Sequence, residues 1–121
     1  MKICLTAKGN NLDSQLDPRF GRCEYFIFVD TDTLEFEVIK NPNTDAMGGA
    51  GIQSGQLIVN KKVKAVITGN VGPNAFQTLS AAGIEVITGL SGTIKEAIEK
   101  YKKCEVKPTQ SANVEAKFKA R

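Results

Sequence analysis

The residues Val66-Ile67-Thr68-Gly69 recur as Val86-Ile87-Thr88-Gly89 twenty positions later, and this spacing constrains the fold more than any other feature. Each copy is a short β-branched run closed by glycine, the pattern of a strand buried on both faces. Between the copies, Pro73 stands where a helix can begin, because a first-turn amide has no intrahelical partner. Ala75, Leu79 and Ala82 follow at i, i+4 and i+7, and Gly83 closes that helix. Two strands separated by a helix pair in parallel, since antiparallel neighbours need only a tight turn. Two copies are too few for a solenoid, so the repeat predicts a βαβα unit. Its last helix is announced by Thr93-Ile94-Lys95-Glu96, a capping-box spacing. Ile94, Ala97, Ile98 and Tyr101 then form one apolar stripe, with Lys100, Lys102 and Lys103 near its end.

The first half has a strand rhythm instead. Lys2 to Ala7 is a short apolar run, and Tyr25 to Val29 is a continuous aromatic and β-branched run. Between them Asp13 to Arg22, broken by Pro18 and Gly21, predicts a loop. Asp30 to Thr33 supplies turn chemistry, after which Leu34, Phe36 and Val38 alternate with Glu35 and Glu37. That pair predicts an antiparallel hairpin with the alternating strand at the sheet edge. A helix is expected over 52–60. The order is β-β-β-α-β-α-β-α, an α/β fold with a five-stranded mixed sheet and helices packed against it. Right-handed crossovers put the two later strands on one side of strand 1 and the hairpin on the other. A crevice is expected where strand 1 meets the strand at 65–68.

Composition then excludes chemistry. The chain has 121 residues, one ordinary domain, and contains no histidine and no tryptophan. His-ligated zinc, a Ser-His-Asp triad and a Cys-His dyad are therefore impossible. The cysteines Cys4, Cys23 and Cys104 are odd in number and lack CxxC spacing, so a reducing cytoplasm is the expected compartment. No apolar run is long enough for a membrane span, and Met1 to Ala7 does not read as a signal peptide. The net charge is +3, of which Lys107, Lys117, Lys119 and Arg121 against Glu105 and Glu115 supply +2 in an aperiodic tail, 105–121. No basic stripe interleaved with aromatics suggests a nucleic-acid partner. A mixed sheet in this order can be ribonuclease H-like, but the first strand lacks the acidic residue a magnesium nuclease needs. Asp13, Asp17, Asp30 and Asp32 fall in loops or turns, where carboxylates are ordinarily solvated or turn-forming. With no acid–base pair in a cleft, an enzyme is not expected.

Three segments carry candidate chemistry. Gly48-Gly49-Ala50-Gly51 and Gly69-Asn70-Val71-Gly72-Pro73-Asn74 each precede a helix. Glycines admit a ligand close to the backbone, and free first-turn amides favour negative charge. Neither segment has phosphate-loop spacing. Arg19-Phe20-Gly21-Arg22-Cys23 sets two guanidiniums beside a thiol, and nearby positive charge lowers a thiol's pKa toward the thiolate that ligates metal. Cys4 is expected in the core and Cys104 at a boundary. The same residues equally describe a small-anion or partner-binding regulatory module that never meets a metal.

The runs 17–26, 49–53 and 67–76, the last containing Gly69-Asn70-Val71-Gly72-Pro73-Asn74-Ala75-Phe76, resemble the dinitrogenase iron–molybdenum cofactor biosynthesis family. That family includes NifX-type proteins, the cofactor-binding part of NafY and the C-terminal part of many NifB proteins. The resemblance covers 1–104, and the tail 105–121 is expected to be loosely attached. It implies a ribonuclease H-like fold without nuclease activity. It also implies a non-enzymatic carrier that takes an anionic iron–sulfur or molybdenum-containing cluster between cluster-assembly and acceptor proteins. On that reading Arg19, Arg22 and Cys23 contact the cluster, with Cys23 the metal ligand. The amides of Gly48, Gly49, Ala50 and Gly51, and of Gly69, Asn70, Val71 and Gly72, bind its sulfides or attached anions beside Asn74. Without imidazole, only thiolate, guanidinium and backbone amides are left to hold such a cargo.

Overall fold

The computed structural model describes residues 1–42 and 50–103, with side chains from 54 onward in the second stretch. The elements are β1 (Lys2–Ala7), β2 (Tyr25–Asp30), β3 (Phe36–Lys40), α1 (Ala50–Asn60), β4 (Ala65–Ile67), α2 (Pro73–Ala81), β5 (Glu85–Ile87) and α3 (Ile94–Lys102). They form one five-stranded sheet in the order β3-β2-β1-β4-β5. β1 is central, antiparallel to β2 and parallel to β4, with Cys4 opposite Phe28 on one side and Val66 on the other. The twenty-residue repeat becomes two parallel neighbours in register, Val66 beside Val86 and Ile67 beside Ile87. The expected mixed α/β architecture and strand order are therefore observed.

Alternation along the strands builds two cores. Cys4, Phe26, Phe28, Val66 and Val86 face α1 and α2, where Ile58, Ala75 and Leu79 complete the layer. Ile3, Leu5, Ile27, Val29, Ile67 and Ile87 face α3 through Ile94, Ala97 and Ile98. Each fully buried aliphatic or aromatic side chain stabilises the fold by about 1.5–3 kcal/mol relative to exposure. The helix ends follow the sequence. Gly83, at φ +78°, closes α2. Thr93 Oγ1 accepts from the Glu96 amide at 3.1 Å while Glu96 Oε1 accepts from the Thr93 amide at 2.8 Å, the reciprocal cap expected for α3.

Two local expectations change. α1 starts at Ala50, two residues earlier than the apolar pattern indicated. The hairpin connection is longer than four residues: Asp30 Oδ1 accepts from the amides of Asp32 and Thr33, and the Leu34 amide returns to the Asp30 carbonyl. Leu34 consequently sits in the turn at φ +64° rather than in the strand, and is 39% exposed. Phe36, opposite Val29 on the edge strand, is 43% exposed, so the alternating stripe is only half used. The tail 105–121, like Cys104, lies outside the described residues.

Candidate functional site

β1 and β4 run parallel, so their C-terminal ends open onto the same edge of the sheet, where the first strand order reversal occurs. The crevice expected there is filled by the chain's own loop. The Asp17 amide donates to the Thr6 carbonyl at 2.8 Å, and Thr6 Oγ1 donates to the Asp17 carbonyl at 2.6 Å. The Thr6 hydroxyl also lies 2.8 Å from Thr68 Oγ1, so a buried polar cluster ties the ends of both central strands to the loop. Beyond it, the Asn70 amide donates to the Pro18 carbonyl at 2.7 Å and the Phe20 amide to the Asn70 carbonyl at 3.3 Å. Arg19 and Asn70 thereby form a short parallel bridge.

Gly69 is explained by this contact. A Cβ there would lie 2.7 Å from Pro18 Cα, a distance side chains do not adopt. The room that glycine opens at 69 is occupied by Pro18, not left for a ligand. Gly72 differs, since a Cβ built on it meets nothing within 4 Å among the described residues. Gly72 is also the N-cap of α2, and it supplies no side-chain cap. Pro73 at the first position has no amide hydrogen, which leaves the amides of Asn74 and Ala75 as the natural anion donors of the turn. Asn74 is exposed at this turn, whereas Val71 is buried. Among the described residues, the N-terminus of α3 is capped by the side chains of Thr93 and Glu96, whereas that of α2 has no side-chain cap.

Asp17 corrects a sequence expectation. Its carboxylate is fully buried rather than solvated. Oδ1 accepts from the Arg19 amide at 2.9 Å and from Nε at 3.1 Å, while Oδ2 accepts from Nη2 at 3.1 Å. Burying a carboxylate costs several kcal/mol unless it is paired, and this two-pronged arrangement supplies the pairing. The hydrogen bond and charge of Asp17 raise the pKa of Arg19, whose side chain remains 58% exposed. Arg22 is exposed, with its amide turned back to the Arg19 carbonyl at 3.3 Å. An Asp-Pro pair two residues before an arginine is the turn-initiating signal that could have singled out Asp17. Nothing in the sequence marked Thr6 or Thr68.

Cys23 is the second correction. Its side chain is fully buried beside Phe20 and Phe26. Burial pushes the thiol well up, the nearby Asp17 charge pushes it further, and Arg19 opposes this too weakly to produce a thiolate. The expected direction is thus reversed, because desolvation outweighs one exposed guanidinium. Asn41 holds the segment closed: its Nδ2 donates to the carbonyls of Cys23 at 2.9 Å and Gly21 at 3.2 Å. Cys4 is a buried core thiol, as expected, and burial raises it as well. Of the other glycine-rich segment, Ala50 and Gly51 open α1, while Gly48 and Gly49 lie outside the described residues.

The structure therefore brings Arg19, Asn70, Gly69 and the open turn at Gly72 to one edge. Among the described residues, no three His, Cys, Asp or Glu side chains gather as a metal-binding group. No helix among them is long and apolar enough to cross a membrane. A groove of about 370 Å³ lined by Leu12, Leu34 and Ile98 lies against α3 and shares none of these residues.

The chain is similar to the apo form of the orange protein (ORP) of Desulfovibrio gigas, with 37% identity and a TM-score of 0.90 over 93% of this chain and 95% of that one. It is similar to TM1290 of Thermotoga, a DUF35-family protein provisionally assigned as NifB, at 37% identity and a TM-score of 0.78, covering 93% and 97% of the two chains. An uncharacterised Methanocaldococcus jannaschii protein, MJ0580, is 36% identical over 104 residues, spanning 84% of this chain and 85% of its own. Residues 1–104 match the family described as dinitrogenase iron-molybdenum cofactor. The chain belongs to that dinitrogenase iron–molybdenum cofactor family.

Proposed function

We propose that this protein binds an anionic iron–sulfur or molybdenum-containing cluster and carries it between assembly and acceptor proteins without transforming it. The observation that carries the reading is the uncapped turn of α2 with open space at Gly72, next to the loop that presents Arg19 and Arg22. Amides at a helix N-terminus attract negative charge, and guanidiniums add directed donors to sulfide or oxo atoms. The family assignment supports a cofactor-related cargo. Capture is by guanidinium and amide, because the thiol of Cys23 is buried and protonated. Cys23 becomes a metal ligand only in a conformation that opens the Asn41 latch. No acid–base pair is needed for carriage, so the role is non-enzymatic.

Anaerobic titration with a synthetic cubane iron–sulfur cluster, and separately with tetrathiomolybdate, tests this directly. Charge-transfer absorbance should co-elute with the protein on gel filtration and fall away when Arg19 and Arg22 are both replaced by alanine. Complete separation of both probes from the wild-type protein would end the carrier reading. The absence of a gathered ligand group among the described residues favours one alternative at the same loops, a metal-free binder of small anions. Stabilisation by an organic phosphate, with no iron or molybdenum retained after anaerobic purification, would select it.

A further inference from the structure

We infer that Asp17 is a positioning residue of the anion site: its buried carboxylate takes one side of the Arg19 guanidinium and so turns the other end outward as a directed fork. The cargo in this inference rests on the function proposed above; the hold of Asp17 on Arg19 does not. A turn-forming residue at position 17 needs only a side-chain oxygen, which asparagine would provide without charge. A carboxylate placed out of water therefore calls for a reason beyond the turn. Its partner gives one. Asp17 engages Nε and Nη2 of Arg19, and Arg19 makes no other side-chain hydrogen bond among the described residues. A guanidinium carries five N–H donors, so both on Nη1 and one on Nη2 are left. Planarity sets them in the plane of the carboxylate pair and on the far side of the group, suited to two adjacent acceptor atoms rather than one.

The mounting is rigid. The Asp17 backbone is bonded in both directions to Thr6 on the central strand, and Pro18 is seated against Gly69. The bridge to Asn70 sets the fork at the head of the segment leading into the open turn of α2. A lysine at 19 could reach Asp17 but could not present a second paired edge.

The test uses the full chain. In the wild type, the Arg19 Nε–H should exchange slowly with water in ¹⁵N–¹H spectra, and Asp17→Asn should speed that exchange at least tenfold. The same variant should bind the tetrathiomolybdate or cubane probe roughly tenfold to a hundredfold more weakly, the scale of one charge-assisted paired contact. Asp17→Asn combined with Arg19→Lys should be no weaker than Arg19→Lys alone. Should Asp17→Asn not fold, Asp17→Glu, which keeps the charge and displaces it by one methylene, is read the same way. Unchanged Nε–H exchange, or probe affinity equal to wild type in a folded Asp17 variant, overturns the inference. A wild type with a slow Nε–H that takes up neither probe upholds the hold of Asp17 on Arg19 and overturns the cargo reading instead.

Discussion

Replacing Gly69 and Gly72 by alanine, one at a time, should give opposite outcomes although the two positions are three residues apart. At Gly69 the new methyl would lie 2.7 Å from Pro18 Cα and 2.8 Å from Pro18 Cβ. Ordinary carbon contacts need roughly 3.5–4.0 Å, so the loop must retreat by about 1 Å. That retreat strains two backbone hydrogen bonds, Asn70 to Pro18 at 2.7 Å and Phe20 to Asn70 at 3.3 Å. Overpacking of this kind costs about 1–3 kcal/mol, and each weakened bond adds about 1 kcal/mol. A loss of about 3–5 kcal/mol is expected, or a Tm lower by roughly 10–25 °C in a domain of this size. At Gly72 nothing among the described residues lies within 4 Å and φ is −81°, which alanine adopts freely. Its stability should change by less than about 1 kcal/mol, the small N-cap preference for glycine being partly offset by a less flexible unfolded chain. Its methyl would nevertheless stand in the open turn and weaken uptake of an anionic cluster. Urea unfolding of the three proteins, with probe titration of those that fold, measures both effects. A Gly69→Ala protein as stable as wild type would refute the packing argument, and a Gly72→Ala protein that binds normally would remove the α2 turn from the site.

Other parts of the molecule give four further expected outcomes. Asn41→Ala should expose Cys23, so that its labelling by iodoacetamide, on the order of a hundredfold slower in the native wild type than in urea, accelerates without unfolding; mass-mapped labelling kinetics decide this. Thr93→Ala should cost about 0.5–2 kcal/mol by removing the α3 cap. The amide and hydroxyl of Thr93 hold Glu96 below its ordinary pKa, so the bonds accepted by the Glu96 carboxylate stabilise above the carboxylate range and are lost as pH falls through it; Glu96→Gln should flatten the acid limb of a stability–pH curve. Leu34→Gly should change stability by no more than about 1 kcal/mol, because relief of the strain at φ +64° is offset by lost burial of a side chain only 39% exposed and by a more flexible unfolded chain; thermal unfolding checks this.

The fold was largely legible because its signals are local and redundant. The repeated Val-Ile-Thr-Gly, Pro73, Gly83 and the Thr93–Glu96 box each specify an element, and handedness then orders the strands. The site was legible only as a set of segments. Arg19 and the Gly72 turn could be named from residue type, but burial could not. Flanking arginines in the sequence point to a thiolate at Cys23, yet its ionisation is decided by burial beside Phe20 and Phe26 and by the charge of Asp17. Asp17 was passed over because loop carboxylates are usually wet, and only the packing of its loop onto Thr6 and Thr68 dries it. Such quantities depend on which distant residues meet, and no periodicity encodes that.

The tie between Thr6, Thr68 and Asp17 has a kinetic consequence. A loop bolted to the ends of two central strands has few conformations to surrender when a guest arrives, so association there proceeds without an ordering step. The residence time of an anion on this edge is then governed by the bonds it makes and by how strongly a rival competes for it. On the carrier role proposed above, a passenger held in this way would leave when a better-equipped recipient pulls, rather than when the host lets go.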